Sequence, residues 1–409
     1  MDRYQTGKKL LYYLRAAPDK IFDRRPGVLS GADWDSIIEE SARHGIAPLL
    51  YHRLKTLHSG ISIPPGVMGI LQKAHLGNAA RNMDLYNRIG KILGAFRRAG
   101  ISAIVLKGAY LASAVYESLA LRQMNDTDLL VKQADLSKAS DIMGGLGYTS
   151  SKEDVYCDPN HLPKFGIDGR AYVEIHFNII GPPFAHRVDI EKLWARAQKV
   201  SIAGIEALAL CPEDLLVHLC AHAGFKHGFE TGVRPLFDIS HTIERYGRGI
   251  DWEEVLKRSR EWGVGRSVYL ALSLAERLAG AGVPEEIIRK LELYKDGFDA
   301  AACVEGLLFE SGSPIATNVA RLYGEECLRD KLVHFMKYAF PPADIMAAVN
   351  STSENPPPVY YLYFSRIKGL VKRHSRTAWR LFLGDKELAA SADIENRRNA
   401  LKDWLVQPQ

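Results

Sequence analysis

Apolar residues recur at helical spacing through the first hundred positions. Ile37, Ile38 and Ala42 share a stripe behind Asp33, a residue type that caps helices, and Gly45 supplies a stop. Leu85, Ile89, Ile92, Leu93 and Phe96 form a second stripe over 83–98, ended by Gly100. The pattern then shifts to short runs. Residues 101–106 and 127–131 are apolar, β-branched and too short for helices, so they predict strands. Residues 108–117 between them read as a helix. Asp135 is placed to cap another, with Leu136, Ala139, Met143 and Leu146 inward and Gly147 as the break. After a stretch at 148–157, the segment 162–179 alternates about Asp168-Gly169, a hairpin turn signal. From Pro212, well placed for a first helical turn, the pattern is mostly helical.

These signals predict an α+β chain in three parts: a helical N-terminal region at 1–79, a small mixed-sheet core at 80–180 and a larger helical region at 181–409. Gly181-Pro182-Pro183 marks one break, and Asn355-Pro356-Pro357-Pro358 a second. The segment from Asp33-Trp34 to Gly45-Ile46 resembles that from Asp251-Trp252 to Gly263-Val264. This reads either as a duplicated helical hairpin or as two similarly capped amphipathic helices, and no solenoid period is present.

Composition narrows the class. With 47% hydrophobic and 25% charged residues in 409, the chain is too apolar for disorder and long enough for a sizeable core. A net charge of +5 does not argue for nucleic acid. Cys157, Cys211, Cys220, Cys303 and Cys327 form no CxxC pair, so neither a disulfide framework nor a zinc ribbon is indicated. The first residues lack a secretory apolar run, and the longest apolar stretch, around 101–116, carries Lys107 in its middle. The expectation is a reduced, cytoplasmic, soluble protein with no membrane partner.

Candidate chemistry concentrates in Arg122-Gln123-Met124-Asn125-Asp126-Thr127-Asp128. Asp126 and Asp128, two apart at the start of a strand, face the same way, and paired carboxylates repel unless a cation lies between them. Hard divalent ions take such oxygens together with phosphate oxygens. In Tyr172-Val173-Glu174-Ile175-His176 the alternation puts Tyr172, Glu174 and His176 on one face. If that strand lies beside the Asp126 strand, Glu174 completes a three-acid site able to hold metal. The other reading is surface carboxylates alternating with core residues on edge strands.

Upstream, Lys107-Gly108 sits where a strand meets a helix. Gly108 permits close backbone approach to a phosphate, the helix N-terminus offers free N–H groups, and Lys107 adds charge. An ordinary turn with an exposed lysine fits equally. Arg122 is either a phosphate ligand or a structural ion-pair partner. His218 and His222, four apart on a helix, can ligate a metal, pack in the core or line a cleft. Arg234, Asp238, His241 and Arg245 share one face of the next helix, which is either solvated or turned to that cleft, where Arg234, His222 or His176 would touch phosphate or acceptor. Between Arg366 and Arg380 lie six basic residues and no acid, preceded by Tyr360, Tyr361, Tyr363 and Phe364. This is either a surface for RNA or anionic lipid or a solvated helix face.

Leu106-Lys107-Gly108, Arg122 with Asp126-Thr127-Asp128-Leu129-Leu130-Val131, and Glu174-Ile175-His176 together resemble an uncharacterised bacterial nucleotidyltransferase family of the polymerase-β-type superfamily. The helical segments around 33–54 and 211–228 resemble that family's flanking helices, so the likeness reaches about residue 280. Gly108-Ala109 stands where the wider superfamily has Gly-Ser or Gly-Gly, and the gap from Gly108 to Asp126 is longer than usual there. The resemblance implies a small mixed sheet flanked by helices, with Mg²⁺ (or Mn²⁺) on Asp126, Asp128 and Glu174. It further implies an NTP held by Lys107, Gly108 and Arg122, and transfer of a nucleoside monophosphate to an acceptor hydroxyl of a small molecule or protein, with pyrophosphate released. The alternative is a catalytically silent binding module on the same fold. No nucleic-acid partner is expected, although an RNA-directed transferase using the basic segment is a third reading.

Overall fold

The computed structural model describes residues 3–15, 29–56, 63–150, 160–167, 170–295, 297–310, 317–324, 329, 333, 336, 339–340 and 359–407. The chain divides into two compact units, Met1–Val304 with Leu405–Gln409, and Glu305–Trp404. No described helix is long and apolar enough to cross a membrane.

The first unit opens with helices α1 (Arg3–Leu14), α2 (Gly31–Arg43), α3 (Ala47–Thr56) and α4 (Pro65–Arg98). Asp33 does not cap α2 as its position suggested. Ser30 does, accepting from the Asp33 amide, while the Asp33 carboxylate accepts in return from the Ser30 amide at 2.9 Å. Lys9 first, then the bonds from Ser30, hold the Asp33 carboxyl at about 2. Helix α4 buries the expected stripe from Leu85 to Phe96 but begins at Pro65, well before residue 83. One continuous helix therefore runs through the 79/80 boundary expected from the sequence.

The sheet has seven strands in the order β3-β4-β5-β2-β1-β7-β6: β1 (Ala103–Val105), β2 (Asp126–Val131), β3 (Thr149–Ser150), β4 (Phe165–Ile167), β5 (Arg170–His176), β6 (Gln198–Ile202) and β7 (Ile205–Ala209). The β6–β7 hairpin, from beyond residue 180, joins the sheet through a parallel pairing of β7 with β1, so the sheet extends past the expected 80–180 core. Helix α5 (Lys107–Ala114) follows β1, and α6 (Leu136–Gly145) follows β2. Asp135 stands at the N-cap of α6 without a capping bond from its side chain. The turn residues Asp168-Gly169 and most of 148–157 lie outside the described residues.

Beyond the sheet come α7 (Ile190–Arg196), α8 (Pro212–Ala221), a π-helical turn at His222–Lys226, α9 (Arg234–Tyr246), α10 (Trp252–Glu261), α11 (Gly265–Leu274) and α12 (Glu285–Leu291). Pro212 occupies the first turn of α8 as predicted. The two similar segments differ at their starts: Asp251 caps α10 by accepting from Glu253 and Glu254, whereas α2 uses Ser30. The second unit contains helices Val359–Phe382 and Lys386–Val406, with Val319, Ala320, Leu381, Leu388 and Ala392 in a small core. There Lys368, Lys372 and Arg380 are exposed, Arg366 is half-buried and Arg380 pairs with Asp385. The side chains of Arg373 and Arg376, and the Asn355–Pro358 break, lie outside the described residues.

Candidate active site

The site grows from the pairing of β2 with β5. These strands run parallel, with Asp128 opposite Glu174 and Leu130 opposite His176. Leu129 and Ile175 point the other way and are fully buried, which pins the register and turns the acids to the opposite face. Side-chain atoms of Asp128, Glu174 and His176 lie within 4.8 Å of one another, the group among the described residues that could hold a metal ion. His218 and His222 are not part of it.

The two buried carboxylates are already compensated. Lys107 donates from Nζ to Asp128 Oδ1 at 2.9 Å, and Lys164 Nζ lies 2.7 Å from Glu174 Oε1. His176 Nε2 sits between the acids, 3.0 Å from Asp128 and 3.3 Å from Glu174. Burial alone would raise the Asp128 carboxyl, but Lys107 and His176 hold it well below the usual range. Burial likewise works against Glu174, yet bonds from His176 and Lys164 bring it down to about 2. Burial would lower the His176 imidazole, and the two acids raise it instead. Asp126, opposite Tyr172 and exposed at the rim, is pushed up by surrounding protein and by the Asp128 charge.

These groups face a cleft of about 440 Å³. Lys107 opens α5 with φ +40°, in the left-handed region where a lysine is strained. Its ammonium also lies 3.1 Å from His222 Nε2, and His227 Nε2 is 3.2 Å beyond that. The π-helical turn adds a residue to the helix between these two histidines and brings their rings to 4.4 Å. Burial first, then Lys107, pushes His222 well down and His227 to about 4; burial brings His218 to about 3. The histidines thus line the cleft as neutral rings.

Arg122 takes the structural role. It donates from Nε and Nη2 to both oxygens of Asp238, each at 2.8 Å, and Tyr116 donates its hydroxyl to the same carboxylate at 2.8 Å. Both charges are buried. A Cβ on Gly108 would meet Arg122 Nη1 at 2.6 Å, so glycine is required there for the guanidinium to lie against the α5 turn. Of the two roles open to Arg122, the ion pair with Asp238 is the one present here. Arg234 lines the cleft with its Nη1 on the Gln123 carbonyl at 3.4 Å, and among the described residues no carboxylate pairs with it. Its pKa is lowered by burial and by Arg122. Sequence reasoning missed Lys164 and His161, whose ring packs 5.0 Å from that of His176. Their signal was proximity to the turn that folds β4 onto β5.

A family model described as uncharacterised nucleotidyltransferase matches residues 30–280. The solution structure of the antibiotic-resistance factor ANT(2'')-Ia aligns with 47% of this chain and 96% of its own, at 15% identity and a TM-score of 0.33. No curated protein matches.

Proposed function

Because the chain belongs to the uncharacterised nucleotidyltransferase family, we propose that it transfers a nucleoside monophosphate from an NTP to an acceptor hydroxyl and releases pyrophosphate. The observation that carries this reading is the Asp128–Glu174 register, which converges two buried carboxylates on one cleft. Two hard oxygen donors that already draw in cationic side chains fit a divalent cation such as Mg²⁺. Asp128 and Glu174 would hold it, with Asp126 two residues along the same face. When bound, the cation supplies positive charge to the α-phosphate and the leaving phosphates.

The chain's own residues would do the rest. Lys107, released from Asp128, would pair with the triphosphate at the N-terminus of α5, and Arg234 supplies a second charge without an acid of its own. The acceptor oxygen attacks the α-phosphorus as the bond to the β-phosphate oxygen breaks. Glu174, held at about 2, is a poor base. Asp126, on the same strand face and exposed at the rim, is the carboxylate placed to take the acceptor's proton.

The test is transfer of an α-phosphate label from each NTP, with Mg²⁺, to acceptors in cell extract. Asp128→Asn is expected to abolish labelled product in protein that circular dichroism shows to be folded, though less stable for the loss of the Lys107 and His176 pairs, and full turnover in that variant would remove the site from consideration. One observation favours a second reading, a catalytically silent binding module: Lys107, Lys164 and His176 neutralise the acids without any added ion. NTP binding that is indifferent to Mg²⁺ in calorimetry would support that module.

A further inference from the structure

Helix α9 separates two cavities. Arg234 and Asp238 line the cleft, and Ser240, His241 and Glu244 of the same helix line a second cavity of about 450 Å³. Leu14 of α1, Arg53 of α3, Trp252 of α10 and the segment 279–282 close it. Its volume falls within the range of small-molecule sites.

The polar groups on its wall are under-used. The Arg53 Nε is buried with no hydrogen-bond acceptor, and no carboxylate pairs with this guanidinium among the described residues. A buried donor without an acceptor is costly, and a guanidinium more so. The His241 Nδ1 is also buried without a hydrogen bond, 3.7 Å from Glu244 Oε2. Burial lowers the His241 pKa, and a ring nitrogen that carries its proton can donate to an anion. Arg248 adds a second cation at the exposed rim, and Glu244 is the acid among the lining residues. Phe237, Ile243 and Trp252 make the remaining wall apolar.

We propose that this cavity is a second binding site, for a small organic anion with one phosphate or carboxylate on an apolar ring. The oxyanion accepts from Arg53 and His241, and the ring lies against Phe237 and Trp252. Behind His241, the Tyr116 ring packs at 4.4 Å and sends its hydroxyl to Asp238, so the ligand sits one side chain from the wall of the other cleft. The site does not depend on the nucleotidyl-transfer reading.

The test is calorimetric titration of the full chain with phenyl phosphate and, separately, benzoate. At least one is expected to bind at one site, and the stronger of the two identifies the head group as phosphate or carboxylate. Arg53→Gln removes the half-buried guanidinium charge, and Ala281→Leu fills the cavity. Each is expected to weaken binding by about tenfold or more, while Arg234→Gln in the other cleft leaves it unchanged. Arg53→Gln is expected to keep the melting midpoint, since it removes a charge without a partner; should it fail to fold, Ala281→Leu carries the test. No heat from either probe up to about 10 mM would overturn the proposal, as would binding that survives Arg53→Gln and Ala281→Leu but is lost in Arg234→Gln.

Discussion

Replacing Asp238 by asparagine tests the arrangement that frames the cleft. The substitution keeps shape and one acceptor but strips the charge opposite Arg122, whose guanidinium is 9% exposed and bonded to both Asp238 oxygens at 2.8 Å. Removing one partner of a buried ion pair leaves an uncompensated charge and costs about 3–5 kcal/mol. Against a total stability of about 5–15 kcal/mol, that is a large share. It corresponds to a fall in melting midpoint of roughly 5–8 °C for a unit of this size, measurable by thermal or urea denaturation. The double change Arg122→Met with Asp238→Leu is expected to recover part of the loss, because apolar residues need no counter-charge but the buried Tyr116 hydroxyl then lacks its acceptor. An Asp238→Asn protein that melts with the native one would refute the reasoning. So would Arg122→Met that raises the KM for NTP without moving the midpoint, which would make Arg122 a phosphate ligand instead.

Gly45 sits at φ +66°, and a Cβ there would meet Arg234 Nη1 at 3.1 Å. Gly45→Ala is expected to lose about 1–2 kcal/mol and to raise the KM for NTP through Arg234, and unchanged KM would detach Arg234 from the substrate. Acid is expected to destabilise the first unit early. His44 and His218 are depressed to about 3 and His227 to about 4, so the unfolded chain takes up protons first. No penalty arises above about pH 6.5; below it one grows, to roughly 2 kcal/mol at pH 5 for each of His44 and His218, and levels off only near about pH 3. Glu174, held at about 2, adds a later loss as pH falls from about 4.5 toward 2. His176 acts the other way: its raised value supports the folded state in acid and is lost as pH rises through that value. A melting midpoint that stays flat from about pH 8 to 5 would contradict the histidine assignment.

What the sequence disclosed was local. Alternation alone put Tyr172, Glu174 and His176 on one face, because side chains on a strand obey a period of two whatever the strand's neighbour. Which neighbour it has depends on pairing between distant segments, and the sequence offered that only as a condition. Arg122 illustrates the limit more sharply. Its partner lies 116 residues away on α9, so no local pattern could choose between phosphate and Asp238. The start of α4 escaped the pattern for a related reason. Residues 65–82 lack a continuous apolar stripe, but Asn78 and Asn82 are buried by donating to the carbonyls of Ala120 and Arg122, which extends α4 through polar contacts that periodicity does not register.

Lys107 joins these threads. A lysine at φ +40° would ordinarily give way to glycine, which pays no steric penalty there. Glycine, however, could not reach the buried Asp128, which would then face Glu174 with less compensation. The strained backbone is thus held in place by an electrostatic need on the adjacent strand. That need falls when another cation neutralises Asp128. Lys107 itself opens α5, whose first N–H groups have no helical partner, so its released ammonium would be available to an anion arriving with that cation. Cation and triphosphate binding are therefore expected to be coupled through Lys107. In Lys107→Met, calorimetry should find Mg²⁺ retained and the Mg²⁺-dependent gain in NTP affinity lost. An undiminished gain in that variant would show that Lys107 links nothing between the acids and the phosphates.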